Sequence, residues 1–337
     1  MAEKVRMGFV GIGWWSGMLA DAAQKSKRIE IGACYSRSAS KVDDFAGKYG
    51  GLGMKSFEEL LDNETIDALV ITVPNSQHSS RVIAGLEKKK HVFVEKPMAL
   101  SVEECRQMNE AATQSGCLLT VGHNNRRMMI YRKAKEIIQE GKIGDIVLAE
   151  ACMTGDIGVG FTPDKWRWNR SESPAGPFAH FTIHEVDNLN YLVGPVKRVS
   201  AFPGRVWGKA ESDDAVVAVL EFENRALGYL GGTVITPARD FCQLHGTEGV
   251  LLMDKNEGSL KFMKKGETEM TVIPLEEDAE EQRQNSIAEE MDAFASAIQG
   301  EGLLEVTGET GLAAVAVMEA CLKSFESEGS ITIQDLL

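Results

Sequence analysis

The chain has 337 residues, 43% of them hydrophobic and 26% charged, which suits a soluble globular protein with room for two domains. A formal charge of -14 argues against nucleic acid, whose phosphates call for a basic face. No window approaches the ~18 uninterrupted apolar residues of a membrane span, so no membrane partner is expected.

Only seven residues precede Gly8, so no signal peptide is expected. The six cysteines are scattered, with no C-x-x-C pair, which predicts reduced thiols and a cytoplasmic protein. From residue 5 the chain alternates strand-like and helix-like segments. Val5–Val10, Ile29–Tyr35, Ala68–Val73, His91–Val94 and Leu118–Val121 read as strands. Ser38–Tyr49, Gln77–Lys88 and Ser101–Ser115 have helical spacing, the last opened by a capping box of Ser101 and Glu104. Strands alternating with helices predict parallel βαβ units in a doubly wound sheet, hence an α/β domain over 1–121.

The pattern changes over 122–337. A helix at Met129–Glu140 precedes a strand near Ile146–Met153 and a loop over 154–176. A helix then runs from about Pro177 to the Gly194-Pro195 stop. Short alternating runs such as Ala215–Phe222, Ala226–Val234 and Gly249–Met253 predict an antiparallel sheet. The acidic run over 276–281 reads as a solvated loop and first helical turn. Helices at about Asn285–Ile298 and Glu309–Phe325, then a strand at Ile331–Ile333, close an α+β domain.

Gly11-Ile12-Gly13-Trp14-Trp15-Ser16 follows the first strand and opens a helix. The first glycine allows a tight turn, and the second lets backbone approach a pyrophosphate seated on the positive end of the helix. The second strand ends at Ser36 and Arg37, where an NAD-specific site would carry an acid for the ribose 2′-hydroxyl. A guanidinium beside a hydroxyl suits a 2′-phosphate instead, so NADP is favoured over NAD, with a solvated Arg37 as the alternative. Val73, Pro74 and Asn75 end another strand and, with His78, are expected to wall the nicotinamide ribose; Asn75 alternatively caps the next helix. Glu95-Lys96-Pro97 sets a lysine at the carboxyl end of a strand, where open α/β sheets bind ligands.

Assembled in this order, these residues resemble the glucose–fructose oxidoreductase/inositol dehydrogenase family, Gfo/Idh/MocA. Gly122 with Arg126, Gly141-Lys142-Ile143-Gly144, Trp166-Arg167, His184 with Asp187, His245 through Gly249, and Val306 through Glu309 extend the resemblance nearly end to end. The resemblance implies a Rossmann domain followed by an α+β domain with a large open, mainly antiparallel sheet. That sheet implies a homodimer or homotetramer. It also implies reversible oxidation of a sugar, cyclitol or related polyol. In the family the E-K-P lysine lies beside nicotinamide and the substrate hydroxyl, often before a cis proline; here that is Lys96, with Glu95 and Pro97 at the cofactor. The family's motif histidine is His184, facing the same hydroxyl, and Trp166 and Arg167 match a segment approaching the nicotinamide, with aromatic packing on a long loop as the alternative.

His184 is therefore the expected proton acceptor, since imidazole titrates near neutrality, and Lys96 the donor to the developing alkoxide. The family commonly has an aspartate where this chain has His180, four residues before His184 and expected on the same helical face. His180 then binds substrate or shares the proton. Asn124, Arg126 and Asp187 complete the expected substrate contacts. The two histidines with Glu185 or Asp187 could hold a metal, but Glu185 points to another side and no H-E-x-x-H is present, so none is expected. Two rival readings are a redox-neutral, NAD-dependent glycoside hydrolase and a dinucleotide-binding regulator without catalysis.

Overall fold

The structure is a computed structural model and describes residues 3–337. It divides into two compact units, one holding the described residues up to Asn124 with Gln284–Leu312, the other Asn125–Arg283 with Ala313–Leu337.

In the first unit β1 (Val5–Val10), α1 (Trp14–Lys25), β2 (Ile29–Tyr35), α2 (Ala39–Tyr49), β3 (Leu52–Gly53) and α3 (Phe57–Leu61) come first. They are followed by β4 (Ala68–Ile71), α4 (His78–Glu87), β5 (His91–Val94), α5 (Val102–Ser115) and β6 (Leu119–Val121). The strands form a parallel six-stranded sheet in the order β3-β2-β1-β4-β5-β6. β4 and β6 are buried at every position, the continuous apolar run of a strand covered on both faces. This Rossmann order reverses between β1 and β4, and ligands of such sheets bind beyond the carboxyl ends of the strands there. The two-residue β3 has both residues exposed and no apolar run to announce it. Ser101 caps α5 by accepting from the Glu104 N–H, while the Glu104 carboxylate reaches Leu100 rather than Ser101.

The second unit contains α6 (Met129–Gln139), β7 (Ile146–Thr154) and α7 (Ile183–Leu192). The strands β8 (Val196–Gly204), β9 (Ala215–Phe222), β10 (Leu227–Thr233), β11 (Arg239–Gly246), β12 (Gly249–Asp254), β13 (Ser259–Lys264) and β14 (Thr271–Ile273) come next. Two helices, α8 (Ala279–Ile298) and α9 (Gly308–Ser327), and β15 (Ile331–Thr332) end the chain. Nine strands pair in the order β14-β13-β12-β11-β7-β10-β9-β8-β15, antiparallel except for β7 with β10. Burial alternates along β9 and β10, so one face is covered and the other carries exposed Phe202, Val217, Val219, Leu227 and Tyr229. Among the described residues no helix is long and apolar enough to cross a membrane.

Two features differ from the reading of the sequence. A division at 121/122 assigns all later residues to one domain, whereas Gln284–Leu312 belongs to the first compact unit. The cause is apolar: Ile287, Met291, Phe294 and Ala295 of α8 are buried in one core with Val5, Met7, Phe9, Val70 and Phe93. Phe294 alone, with its ring 6.2 Å from that of Phe93, contributes about 2–3 kcal/mol by burial. Polar ties add to this, from Thr120 Oγ1 to the Val306 carbonyl (2.7 Å) and from Ser26 Oγ to Asp292 (2.6 Å). Second, α8 starts at Ala279, ahead of the apolar spacing from about Asn285, with the end of the acidic run forming its first turn, as expected of that run. Asp278 Oδ1 accepts from the N–H groups of Glu280 and Glu281, and Glu281 reaches back to the Asp278 N–H, a reciprocal cap that starts the helix early.

Candidate active site

The residues expected to face the cofactor in the first unit lie at or just beyond the carboxyl ends of β1, β2, β4 and β5. Gly11 adopts φ +88°, donates to the Tyr35 carbonyl and accepts from Thr72 Oγ1. A Cβ there would stand 2.9 Å from the Thr72 backbone, so both handedness and space demand glycine. Gly13, the N-cap of α1, is extended, and a Cβ on it would meet nothing within 4 Å. No acid lies in the first turn of α1, and its N-cap makes no side-chain hydrogen bond, so no capping side chain occupies its N–H groups. A negatively charged pyrophosphate fits that cradle. Trp14 is 72% exposed beside it, and Trp15 turns inward.

Ser36 is half-buried and Arg37 exposed where β2 ends. Asn75 is buried and starts a short turn into α4. His78 is buried with Nδ1 2.8 Å from the Pro97 carbonyl and Nε2 3.0 Å from that of Val73. It thus joins the segment leaving β4, Val73-Pro74, to the segment leaving β5. The Lys96-Pro97 bond is cis, as the resemblance implied.

Glu95 is buried and accepts from the Trp15 indole N–H at Oε1 and from the Lys96 amide at Oε2 (3.2 Å). Desolvation raises its carboxyl to about 7, opposed by the Lys96 charge and the Trp15 donor. Nothing in the sequence signals the Trp15–Glu95 bond, since the partners are 80 residues apart. Asn124 is buried and donates to Ser286 Oγ at 2.9 Å, within the same unit.

The remaining candidates lie in the second unit. Phe178–Thr182 is a π turn ahead of α7, in which the Ile183 N–H reaches back five residues to the Phe178 carbonyl. His180 lies inside this turn, so the α-helical offset that put it on one face with His184 does not apply. Strand β10 shapes the turn, since a Cβ on Gly232 would stand 2.3 Å from Thr182. His180 packs edge-on to Phe161 (5.4 Å) and near Trp166 (6.3 Å), and the exposed Arg167 guanidinium covers Trp166 at 4.2 Å. Phe161 is a neighbour that sequence reasoning missed, for loop contacts leave no periodic signal.

His184 is 7% exposed on α7, and Asp187 follows one turn later. Both oxygens of Asp187 are taken by Arg126, from Nε at 2.8 Å and Nη2 at 2.5 Å, in a buried bidentate ion pair. The two expected substrate contacts therefore hold each other. Glu185 is fully buried on another side of α7, accepting from Tyr131 Oη (3.3 Å) and Asn188 Nδ2 (3.2 Å). Burial, reinforced by the nearby Asp240 carboxylate, raises Glu185 to about 8. Among the described residues no group of three or more His, Cys, Asp or Glu is placed to hold a metal ion.

Comparison with known proteins agrees with this architecture. The chain is 27% identical over 331 residues to 1,5-anhydro-D-fructose reductase of Ensifer adhaerens, covering 95% of this chain and 96% of that protein. It is 27% identical over 297 residues to 2,7-anhydro-N-acetylneuraminate hydratase of Escherichia coli, covering 86% of this chain and 78% of that one. A solved structure from Desulfitobacterium hafniense, described as a candidate NADPH-dependent oxidoreductase, superposes with a TM-score of 0.91 at 27% identity, covering 100% of this chain and 99% of that chain. Residues 5–123 match the oxidoreductase family's NAD-binding Rossmann fold and residues 135–333 its C-terminal alpha/beta domain. The chain belongs to the Gfo/Idh/MocA family of NAD(P)-dependent oxidoreductases.

Proposed function

We propose that this protein transfers a hydride reversibly between NADP and a hydroxyl-bearing carbon of a sugar, cyclitol or related polyol. The observation that carries the reading is Lys96, set at the carboxyl end of β5 in an intact Glu95-Lys96-Pro97, on a sheet whose first turn is built for a pyrophosphate. When bound, the nicotinamide accepts or returns the hydride. The chain handles the proton: His184 takes it from the substrate hydroxyl, and Lys96 donates a hydrogen bond to the oxygen as negative charge develops. His180, ringed by Phe161 and Trp166, faces the substrate and shares the proton where relatives use an acid. The Arg126–Asp187 pair sets the segment before α6 against α7, so both act as positioning residues. Ser36 and Arg37, with no acid at the end of β2, support NADP.

Both named relatives act on anhydro sugars, so such compounds belong in a substrate panel followed at the nicotinamide absorbance band. Lys96→Met and His184→Ala should each lower turnover by about 10²–10⁴-fold, the usual worth of a positioned acid or base; near-native rates in both would end this reading. Arg37→Ala should move the preference from NADP toward NAD. A redox-neutral activity is the second reading, favoured by the hydratase relative, and it predicts substrate conversion without net NADPH formation. Cysteines that are all free fit a reducing, cytoplasmic setting. The apolar outer face of the second sheet fits a second copy of the chain.

A further inference from the structure

Lys96 leaves β5 between two pinned neighbours. On its far side, the Pro97 carbonyl lies 2.8 Å from His78 Nδ1. On its near side, the Glu95 main chain donates to the Ile71 carbonyl, and the Glu95 side chain folds back onto the Lys96 amide. The carboxylate also lies on the bare backbone of Gly122, where a Cβ would stand 2.7 Å from Oε1. The Trp15 indole N–H, reaching across from the first turn of α1, closes this arrangement on the Oε1 side. Of the elements around the carboxylate, β5 brings the Lys96 charge and α1 the neutral Trp15, while β6 is followed by Gly122 and then His123.

We propose that Trp15 is a positioning residue for Lys96: its indole N–H holds the Glu95 carboxylate against the Lys96 amide and over Gly122, fixing the strand end that presents the lysine. This rests on the reading of Lys96 as the hydroxyl-handling group. It adds that the dinucleotide-binding turn and the lysine are joined through the Trp15 and Glu95 side chains. Burial works against the Glu95 carboxylate, and the indole donor favours the ionised form that makes two hydrogen bonds.

The test needs neither substrate nor cofactor. In 15N-labelled protein the Trp15 indole N–H signal, identified by its loss in Trp15→Phe, should titrate with the Glu95 carboxyl at about pH 7 and stay level in Glu95→Gln. Acylation of Lys96 by an amine-reactive ester, quantified by peptide mapping, should be about fivefold faster in Trp15→Phe, a modest loosening on the scale of one hydrogen bond. Glu95→Gln should act in the same direction, while exposed Lys55 reacts unchanged as the internal reference. A merely structural Trp15 would alter stability and leave the Lys96-to-Lys55 ratio as in the wild type. That result, or an indole signal indifferent to Glu95→Gln, overturns the proposal. The failure of hydride transfer would appear separately, as an absence of NADPH formation across the sugar panel.

Discussion

Glu185→Gln tests the buried polar chemistry beneath α7. The folded protein keeps a proton on Glu185 up to about pH 8, whereas the ordinary carboxyl value is 4.5. Between those values the unfolded chain has released a proton that the folded chain retains. Stability therefore falls as pH rises through this window, by about 1.4 kcal/mol per unit. Over the whole window the group costs on the order of 5 kcal/mol, and above it the cost stays level. Glutamine keeps the shape and the acceptor for Tyr131 Oη without a titrating proton. Glu185→Gln should thus match the wild type at the acid end and gain on it steadily toward pH 8. Urea denaturation of both proteins at stepped pH measures the slope. Infrared difference spectra near neutrality should show a carboxylic acid C=O stretch present in the wild type and missing from the variant. A stability gap that does not change with pH, or a wild type without that band, would refute an acid held neutral by burial.

Three further outcomes follow from the geometry. Gly122→Ala would set a methyl carbon 2.7 Å from a Glu95 carboxylate pinned by two donors, so it should lower stability by about 1–3 kcal/mol; an unchanged thermal midpoint would contradict the packing. Arg126→Ala leaves the Asp187 charge buried and uncompensated, a loss of about 3–5 kcal/mol that Asp187→Asn in the same chain should partly recover, as a double-mutant denaturation cycle would read. Val219→Lys places a charge on the exposed sheet face directly opposite Tyr229 and Ser200, and sedimentation should show a smaller species than the wild type; equal masses would exclude that face as the interface.

What the sequence disclosed follows from where each constraint is encoded. Gly11 was legible because a left-handed turn packed against neighbouring backbone selects glycine locally. Ser101 was legible because a cap and its helix are neighbours in the chain. The doubly wound sheet was legible because fully covered strands are continuously apolar. The pairing of Arg126 with Asp187 spans 61 residues and depends on how α7 packs, which no local spacing expresses. The π turn at His180 is likewise set from outside, by β10 at Gly232 and by Gly176, whose Cβ would stand 1.8 Å from the Asp213 carbonyl oxygen. The apolar spacing of α8 marks a buried face but not which core receives it.

That last feature bears on how the polypeptide is born. During synthesis the first 124 residues emerge long before Ile287, Met291 and Phe294, which their core requires. The nascent dinucleotide-binding half must wait with part of its apolar surface uncovered while the whole of Asn125–Arg283 is translated. The second half waits in turn for Ala313–Leu337. Neither half is a contiguous stretch that could be cut out and expressed alone, and a ribosome stalled before Gln284 holds a chain in which neither core is complete.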